Sequence, residues 1–260
     1  MRTLSVCLVS VFLCACAEPE VESPFTDPNL ARIHTRMMEV MAPDDGWERA
    51  RYFEFTFGSG SIEAAAAGRR HRWDRYTGDY RIDVPGDGGD LIAIFNINDA
   101  AAGHAWMGGV PVEDSAVAGR LLQQSYNRFI NDSYWFLMPY KWTDPGVEVV
   151  YLGERVDEEG SAWEVVQLTF QDGVGLTAHN RYEAFVNPET GLMERWNHFT
   201  DREDPEPRVQ SDWVDWQRFG PIMVATGRPS RSGPGGIFFP GVRIEEEVPP
   251  GAFDPPGGGD

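Results

Sequence analysis

The sequence predicts an α+β chain that is mainly β. Two observations carry this: a long succession of period-two apolar runs separated by Gly, Pro and Asp turns, and only two stretches with helical spacing, one ahead of those runs and one among them. An antiparallel meander is the natural arrangement for strands joined by such short turns.

The elements follow in order. Asp27 can cap, and Pro28 can open, a helix running to about Met41, with Leu30, Ile33, Met37, Met38 and Met41 on one face. Arg49–Phe57 alternates, Phe53, Phe55 and Phe57 sharing one side while Glu54 and Thr56 share the other. Gly58-Ser59-Gly60-Ser61 reads as a polar turn after it, lacking the lysine of a phosphate-binding loop and the order of a nucleophile elbow. His71–Tyr76, Tyr80–Val84 and Leu91–Asn96 continue the meander. Asp114 is placed to cap a second helix, Ser115 to about Asn131, with Val117, Leu121, Leu122, Tyr126, Phe129 and Ile130 as its apolar stripe. Strands are expected again at Tyr134–Met138, Val147–Leu152, Ala162–Phe170, Tyr182–Val186 and Leu192–Phe199, the last pair joined through Asn187-Pro188-Glu189-Thr190-Gly191. Trp213–Phe219, Ile222–Thr226 and Val242–Val248 complete the sheet, with a Gly/Pro-rich crossing at Ser230–Gly236.

The N-terminus reads as an export signal. Arg2 precedes an apolar run, Leu4–Leu13, too short to span a bilayer, and Leu13-Cys14-Ala15-Cys16 has the form of a bacterial lipoprotein processing site. All three cysteines, Cys7, Cys14 and Cys16, lie in this segment. Residues 1–15 are then a signal peptide, and Cys16 is the acylated first residue, anchored in the membrane through acyl chains such as palmitate. Cys14 and the single basic residue depart from the usual pattern, and Ala15-Cys16-Ala17 offers a rival cleavage after Ala17 that gives a soluble periplasmic or secreted protein. Ala17 after the cysteine, by likeness to sorted lipoproteins, points to the outer membrane, facing the periplasm. Residues 16–26 form an acidic, Pro-interrupted tether, 27–253 a single β-rich domain, and 254–260 a flexible tail.

Composition narrows the function classes. A net charge of −19 over 260 residues repels nucleic acid and anionic head groups. With at most one cysteine after processing, no internal disulfide can form, so stability must come from an apolar core, for which 42% hydrophobic residues suffice.

The middle of the chain resembles a known group. Asn131-Asp132-Ser133-Tyr134-Trp135-Phe136-Leu137-Met138-Pro139-Tyr140-Lys141, then Asp144-Pro145-Gly146-Val147, Tyr151-Leu152-Gly153, Thr169-Phe170, Val174-Gly175-Leu176-Thr177, Val186–Leu192 with Arg195-Trp196, and Pro249–Phe253 are similar to exported bacterial lipoproteins related to the LolA and LolB lipoprotein carriers. The resemblance covers about residues 29–253. It implies an unclosed, strongly curved antiparallel β-barrel with a helical lid over an apolar cavity for acyl chains. LolA itself is an unanchored shuttle, so shuttling is not carried over to a chain that reads as anchored.

Under that resemblance the ligand-binding candidates are Phe53, Phe55, Phe57, Trp73, Leu122, Tyr126, Phe129 and Trp135, with Trp163 and Trp196 as further strand aromatics. The bland reading of the same residues is a packed core. His34, His71, His104, His179 and His198 lack metal-site spacing; only His179 and His198 flank one hairpin and could meet across it. No catalytic signature or cofactor motif stands out. The expected function is therefore non-catalytic binding of a hydrophobic small molecule or lipid. The alternatives are a scaffold lipoprotein that partners another envelope protein through a rigid sheet, and a hydrolase, which would need a triad assembled in space.

Overall fold

The structure, a computed structural model, describes residues 23–257. The signal segment, Cys16 and the tether up to Glu22 lie outside the described residues, as do residues 258–260 of the tail.

Asp27 caps helix α1 (Pro28–Met41): its carboxylate accepts from the backbone N–H of Asn29 at 2.8 Å and of Leu30 at 3.2 Å. The helix buries Leu30, Ile33, Met37 and Met41, while Met38 is only half-buried. A turn of helix, α2 (Gly46–Arg49), ends on Arg49, where the alternation assigned the start of a strand, and β1 begins later and runs further, Tyr52–Gly60. Gly58-Ser59-Gly60 is thus strand rather than turn, and Ser61 caps the short helix α3 (Ile62–Ala65). Strands β2 (Arg69–Asp74), β3 (Asp79–Val84) and β4 (Leu91–Asn96) follow the reading closely. Between β4 and the second helix lie two elements that the sequence does not announce, β5 (Asp99–Met107) and the edge fragment β6 (Val110–Pro111).

The largest correction concerns the second helix. α4 spans Ser115–Leu137, capped by Asp114 as expected, but it swallows the strand expected at Tyr134–Met138, so Trp135 stands on a helix. Its buried residues Leu122, Ser125, Phe129, Asp132, Ser133 and Phe136 hold helical spacing throughout, and tertiary burial of that face overrides the β preference of Tyr134-Trp135-Phe136. Pro139, inside a 3₁₀ turn (Met138–Tyr140), ends it.

The rest is β7 (Val147–Val156), β8 (Ala162–Phe170), β9 (Arg181–Val186), β10 (Met193–Phe199), β11 (Val209–Asp212), β12 (Val214–Phe219), β13 (Ile222–Pro229), β14 (Gly236–Phe238) and β15 (Arg243–Glu245). Every ladder is antiparallel. One sheet runs β12-β13-β14-β1-β2-β3-β4-β5-β6, with β15 also on β1, and the other β11-β10-β9-β8-β7. A bridge between Ser211 and Ser230 joins them. The result is a curved run whose two ends, β6 and β7, are not paired with each other among the described residues. The chain is therefore α+β, mainly β, and unclosed. α4 lies against β4, β5 and β13, and α1 against β7 and β13, both on the side where the core sits.

Close packing fixes α4 at Gly103 of β5. A Cβ there would stand 2.5 Å from Phe95 Cβ and 3.0 Å from Leu122 Cδ2, so only glycine lets helix and strand approach this closely. Trp163 departs from the expected core: with Val165 and Phe185 it forms a small cluster separate from the main core, and the Arg195 guanidinium covers it at 4.8 Å. No helix among the described residues is long and apolar enough to cross a membrane.

Candidate functional site

The C-terminal half of α4 forms one wall of a cavity of about 390 Å³. Phe129, Ile130, Tyr134 and Trp135 line it from the helix, Trp73 from β2, and Phe170 and Tyr182 from β8 and β9. Two loops complete the mouth: Lys141–Val147, which follows the helix, and Val174–Thr177, which follows β8. Local chemistry holds both loops. The Lys141 ammonium lies 2.9 Å from the Asp144 carboxylate, and the Gly146 carbonyl accepts from Gln171 N–H at 2.9 Å. Gly146 has φ +81°, and a Cβ on it would come within 2.4 Å of Val174, so this glycine is needed for both turn and packing. Leu176 stands half-exposed at the rim.

The wall is mainly apolar, and Asn131, Ser133, Lys141, Asp144 and Thr177 add polar groups to it. Tyr134 packs edge-on to Phe170 at 5.6 Å, and its buried hydroxyl has no partner among the described residues. Burial pushes its ionisation far above the ordinary phenol range.

Of the eight candidates, Trp73, Phe129 and Trp135 line the cavity; Phe53, Phe55, Phe57, Leu122 and Tyr126 do not. Phe55 stacks on Phe136 at 4.3 Å and on His71 at 4.6 Å, and Phe57 meets Phe239 edge-on at 5.5 Å, all within the core. Leu122 is buried against β5. Tyr126 neighbours Phe95 and Phe129. Trp196, wholly buried, meets Trp135 edge-on at 4.7 Å and so backs the cavity wall.

A buried polar cluster, unread in the sequence, pins α4 to the sheet. Asp132 of α4 and His71 of β2 are both fully buried, and Arg69, on the same strand face as His71, is bonded to Asp132 through Nε and through Nη2 at 2.8 Å. His71 Nε2 lies 3.0 Å from the Asp132 carboxylate, though poorly aligned for a hydrogen bond, and His71 Nδ1 meets the Tyr80 hydroxyl. The carboxylate favours the tautomer with its proton on Nε2, leaving Nδ1 to accept from Tyr80. Burial alone would raise the Asp132 pKa; the Arg69 and His71 contacts outweigh it and hold it below the usual carboxylate range. Burial lowers the His71 pKa despite its carboxylate neighbour, keeping the ring neutral. The order carboxylate, imidazole, hydroxyl has the look of a nucleophilic triad, but Tyr80 is 1% exposed and burial drives its phenol pKa far up. The cluster therefore acts as a latch between helix and sheet.

A second latch sits at the helix end. Pro139 has no N–H to give the Trp135 carbonyl, so this acceptor is orphaned in the last turn. Arg228 of β13, fully buried, reaches it at 3.4 Å and the Phe136 carbonyl at 3.5 Å, while also donating to Ala225 at 3.0 Å and Gly227 at 2.9 Å. Its guanidinium lies 3.4 Å from the centroid of the Trp213 ring. A cation at a helix C-terminus also complements the macrodipole.

His198 does not meet His179. Its Nε2 pairs with the Asn180 amide at 2.9 Å and burial lowers it to about 4, whereas His179 is exposed. No group of three or more His, Cys, Asp or Glu is gathered as metal ligands among the described residues.

No protein-family model matches the sequence, and no curated protein matches it. Among solved structures, the chain is similar to one described as an outer membrane lipoprotein-sorting protein domain from Vibrio parahaemolyticus. That likeness has 8% identity, covers 85% of this chain and 97% of that chain, and has a TM-score of 0.39. It is also similar to MucB, at 12% identity over 77% of this chain and 66% of that chain, with a TM-score of 0.23. Overlaps of this size carry no inference about ligand or partner.

Proposed function

We propose that this chain is a lipid-anchored envelope protein, facing the periplasm from the outer membrane, that holds a lipid or acyl chain in the cavity under α4 without changing it chemically. The observation that carries the reading is the apolar hollow of about 390 Å³ between the latched helix and the two rim loops. Its size falls within the roughly 300–1,000 Å³ of small-molecule sites. Trp73, Phe129, Ile130 and Trp135 supply apolar contact, and the Tyr134 hydroxyl, with Lys141, Asn131, Ser133 and Thr177 also on the lining, offers donors for a carboxyl or ester oxygen. Each buried methylene contributes about 0.8 kcal/mol, so about eight of them give roughly 6 kcal/mol before ordering costs. With no ordering cost subtracted that corresponds to a Kd on the order of tens of micromolar, which is the tightest binding this contact alone supports. Acyl chains on Cys16 would keep the cavity close to the membrane from which the ligand comes.

Displacement of a fluorescent fatty-acid probe from delipidated full-length protein tests this. Ile130→Gln places a polar group in the cavity wall from a half-buried position, and is expected to weaken binding about tenfold with little change in melting. Leu122→Gln, in the core, should instead lower stability by about 2–4 kcal/mol. Absence of saturable binding by wild type, or loss of binding that only tracks stability, removes the reading.

Tyr134→Phe separates the donor from the wall. It deletes a buried unsatisfied hydroxyl, so the protein should melt at or slightly above the wild-type temperature, by up to about 1 kcal/mol. Affinity for a fatty acid should fall while affinity for an alkane of equal length holds, which paired titrations of the two ligands would show.

A further inference from the structure

A second, polar hollow of about 280 Å³ opens near the latch, lined by Phe57, Gly58, Ser59, Gly68, Arg69 and Arg128 among others. Its two arginines have unequal surroundings. Arg69 is neutralised by Asp132 and held over the Phe57 ring at 4.4 Å. Arg128, half-buried on α4, has no carboxylate within 4 Å among the described residues, and its Nη1 is enclosed without any acceptor. Asp132 cannot serve both, because it already accepts from Arg69 twice, contacts His71 and takes the Asn131 amide at 2.9 Å.

The hollow thus holds two guanidinium charges against one carboxylate, in a chain whose net charge is −19. Burying a guanidinium donor beside another cation, with nothing to accept from it, is unfavourable unless an anion completes the site. Burial, and then repulsion from Arg69, press the Arg128 pKa downward, in keeping with a cation that lacks its counter-ion.

We propose that this hollow binds an oxyanion, a phosphate or carboxylate group, with the Arg128 fork as its principal ligand and Arg69 as the second. Arginine suits this because its planar donors match two oxygens of such a group at once. The exposed Ser59 hydroxyl at the rim can donate a third bond. The group has two sources, a free anion or the head group of an amphiphile. The site is distinct from the apolar cavity and stands or falls independently of it.

The test is calorimetric titration of detergent-solubilised full-length protein with inorganic phosphate at low ionic strength, against chloride as control. Wild type should bind saturably. Arg128→Gln should lose about tenfold or more in affinity while melting in chloride no lower than wild type, because it removes an uncompensated charge. Arg128→Lys should retain part of the affinity, having the charge without the fork. Short-chain phosphatidic acid binding more tightly than phosphate, with phosphatidylcholine of the same chain length inert, assigns the head group as ligand; equal affinity for phosphate and phosphatidic acid assigns the free anion. Failure of wild type to bind both phosphate and phosphatidic acid, or unchanged affinity in Arg128→Gln, overturns the proposal.

Discussion

Asp132→Ala is expected to destabilise the fold by about 3–5 kcal/mol, because it leaves the Arg69 guanidinium without its buried carboxylate. His71 loses the group that sets its tautomer, and the C-terminal half of α4 loses a charged tie to β2. Chemical denaturation of wild type and variant measures the difference. The same cluster, together with His198 elsewhere in the sheet, makes the fold acid-sensitive. His71 and His198 have folded pKa values below the unfolded 6.5 or so, so the stability they contribute is fully present above that pH and is lost as pH falls below it, for His198 down to about 4. Asp132 adds a loss of the same sign below the unfolded carboxylate value near 3.9, as pH falls through its depressed folded pKa. Wild type should therefore weaken from pH 7 to 4 and more steeply below 4. In Asp132→Ala the steep acid limb should shrink.

Arg228→Met should cost about 2–4 kcal/mol, with the damage concentrated at the C-terminus of α4. Methionine fills much of the same space beside Trp213 and Phe239 but removes the donor that reaches the Trp135 and Phe136 carbonyls and those of Ala225 and Gly227. Each unsatisfied buried acceptor costs about 1–3 kcal/mol, partly offset by removing a buried charge that has no carboxylate partner. Hydrogen exchange resolves the location: amides of the last turns of α4 should exchange faster in the variant, while those of β8 and β9 keep near wild-type protection. Uniform loss across the molecule would instead make Arg228 a general core residue.

The α1 cap, the Asn187–Gly191 hairpin and most strands were legible because local chemistry decides them: Asp27 before Pro28, and a Pro-Glu-Thr-Gly turn between alternating runs. The true length of α4 was not. Tyr134-Trp135-Phe136 has strand preference, and its helical state depends on Arg228, which reaches it from β13, and on packing of Phe136 and Trp135 against Phe55 and Phe57 of β1. β5 was missed because Ala100-Ala101-Ala102-Gly103 carries no strand signature; pairing with β4 and the need for a small residue under Leu122 explain it.

Site legibility divides the same way. Phe53, Phe55, Phe57 and Trp73 were correctly placed on strands with an inward face, but alternation gives the face and not the depth along it, so it could not tell Trp73 at the cavity from the phenylalanines packed in the core. The latch had an overlooked signal. Arg69 and His71 share a face with Trp73, and Asp132 falls three residues after Phe129 on the apolar stripe of α4. Charged groups in register with an apolar face on two elements are a reason to pair them.

Whether the cavity under α4 carries an acyl ligand is read most directly by native mass spectrometry of the full-length protein purified from its own envelope, followed by lipid extraction. The protein should carry a ligand of stoichiometric mass, separate from any acyl chains on Cys16, released on denaturation and regained when the delipidated protein is given fatty acid. A ligand-free protein that regains nothing after delipidation contradicts an acyl ligand there.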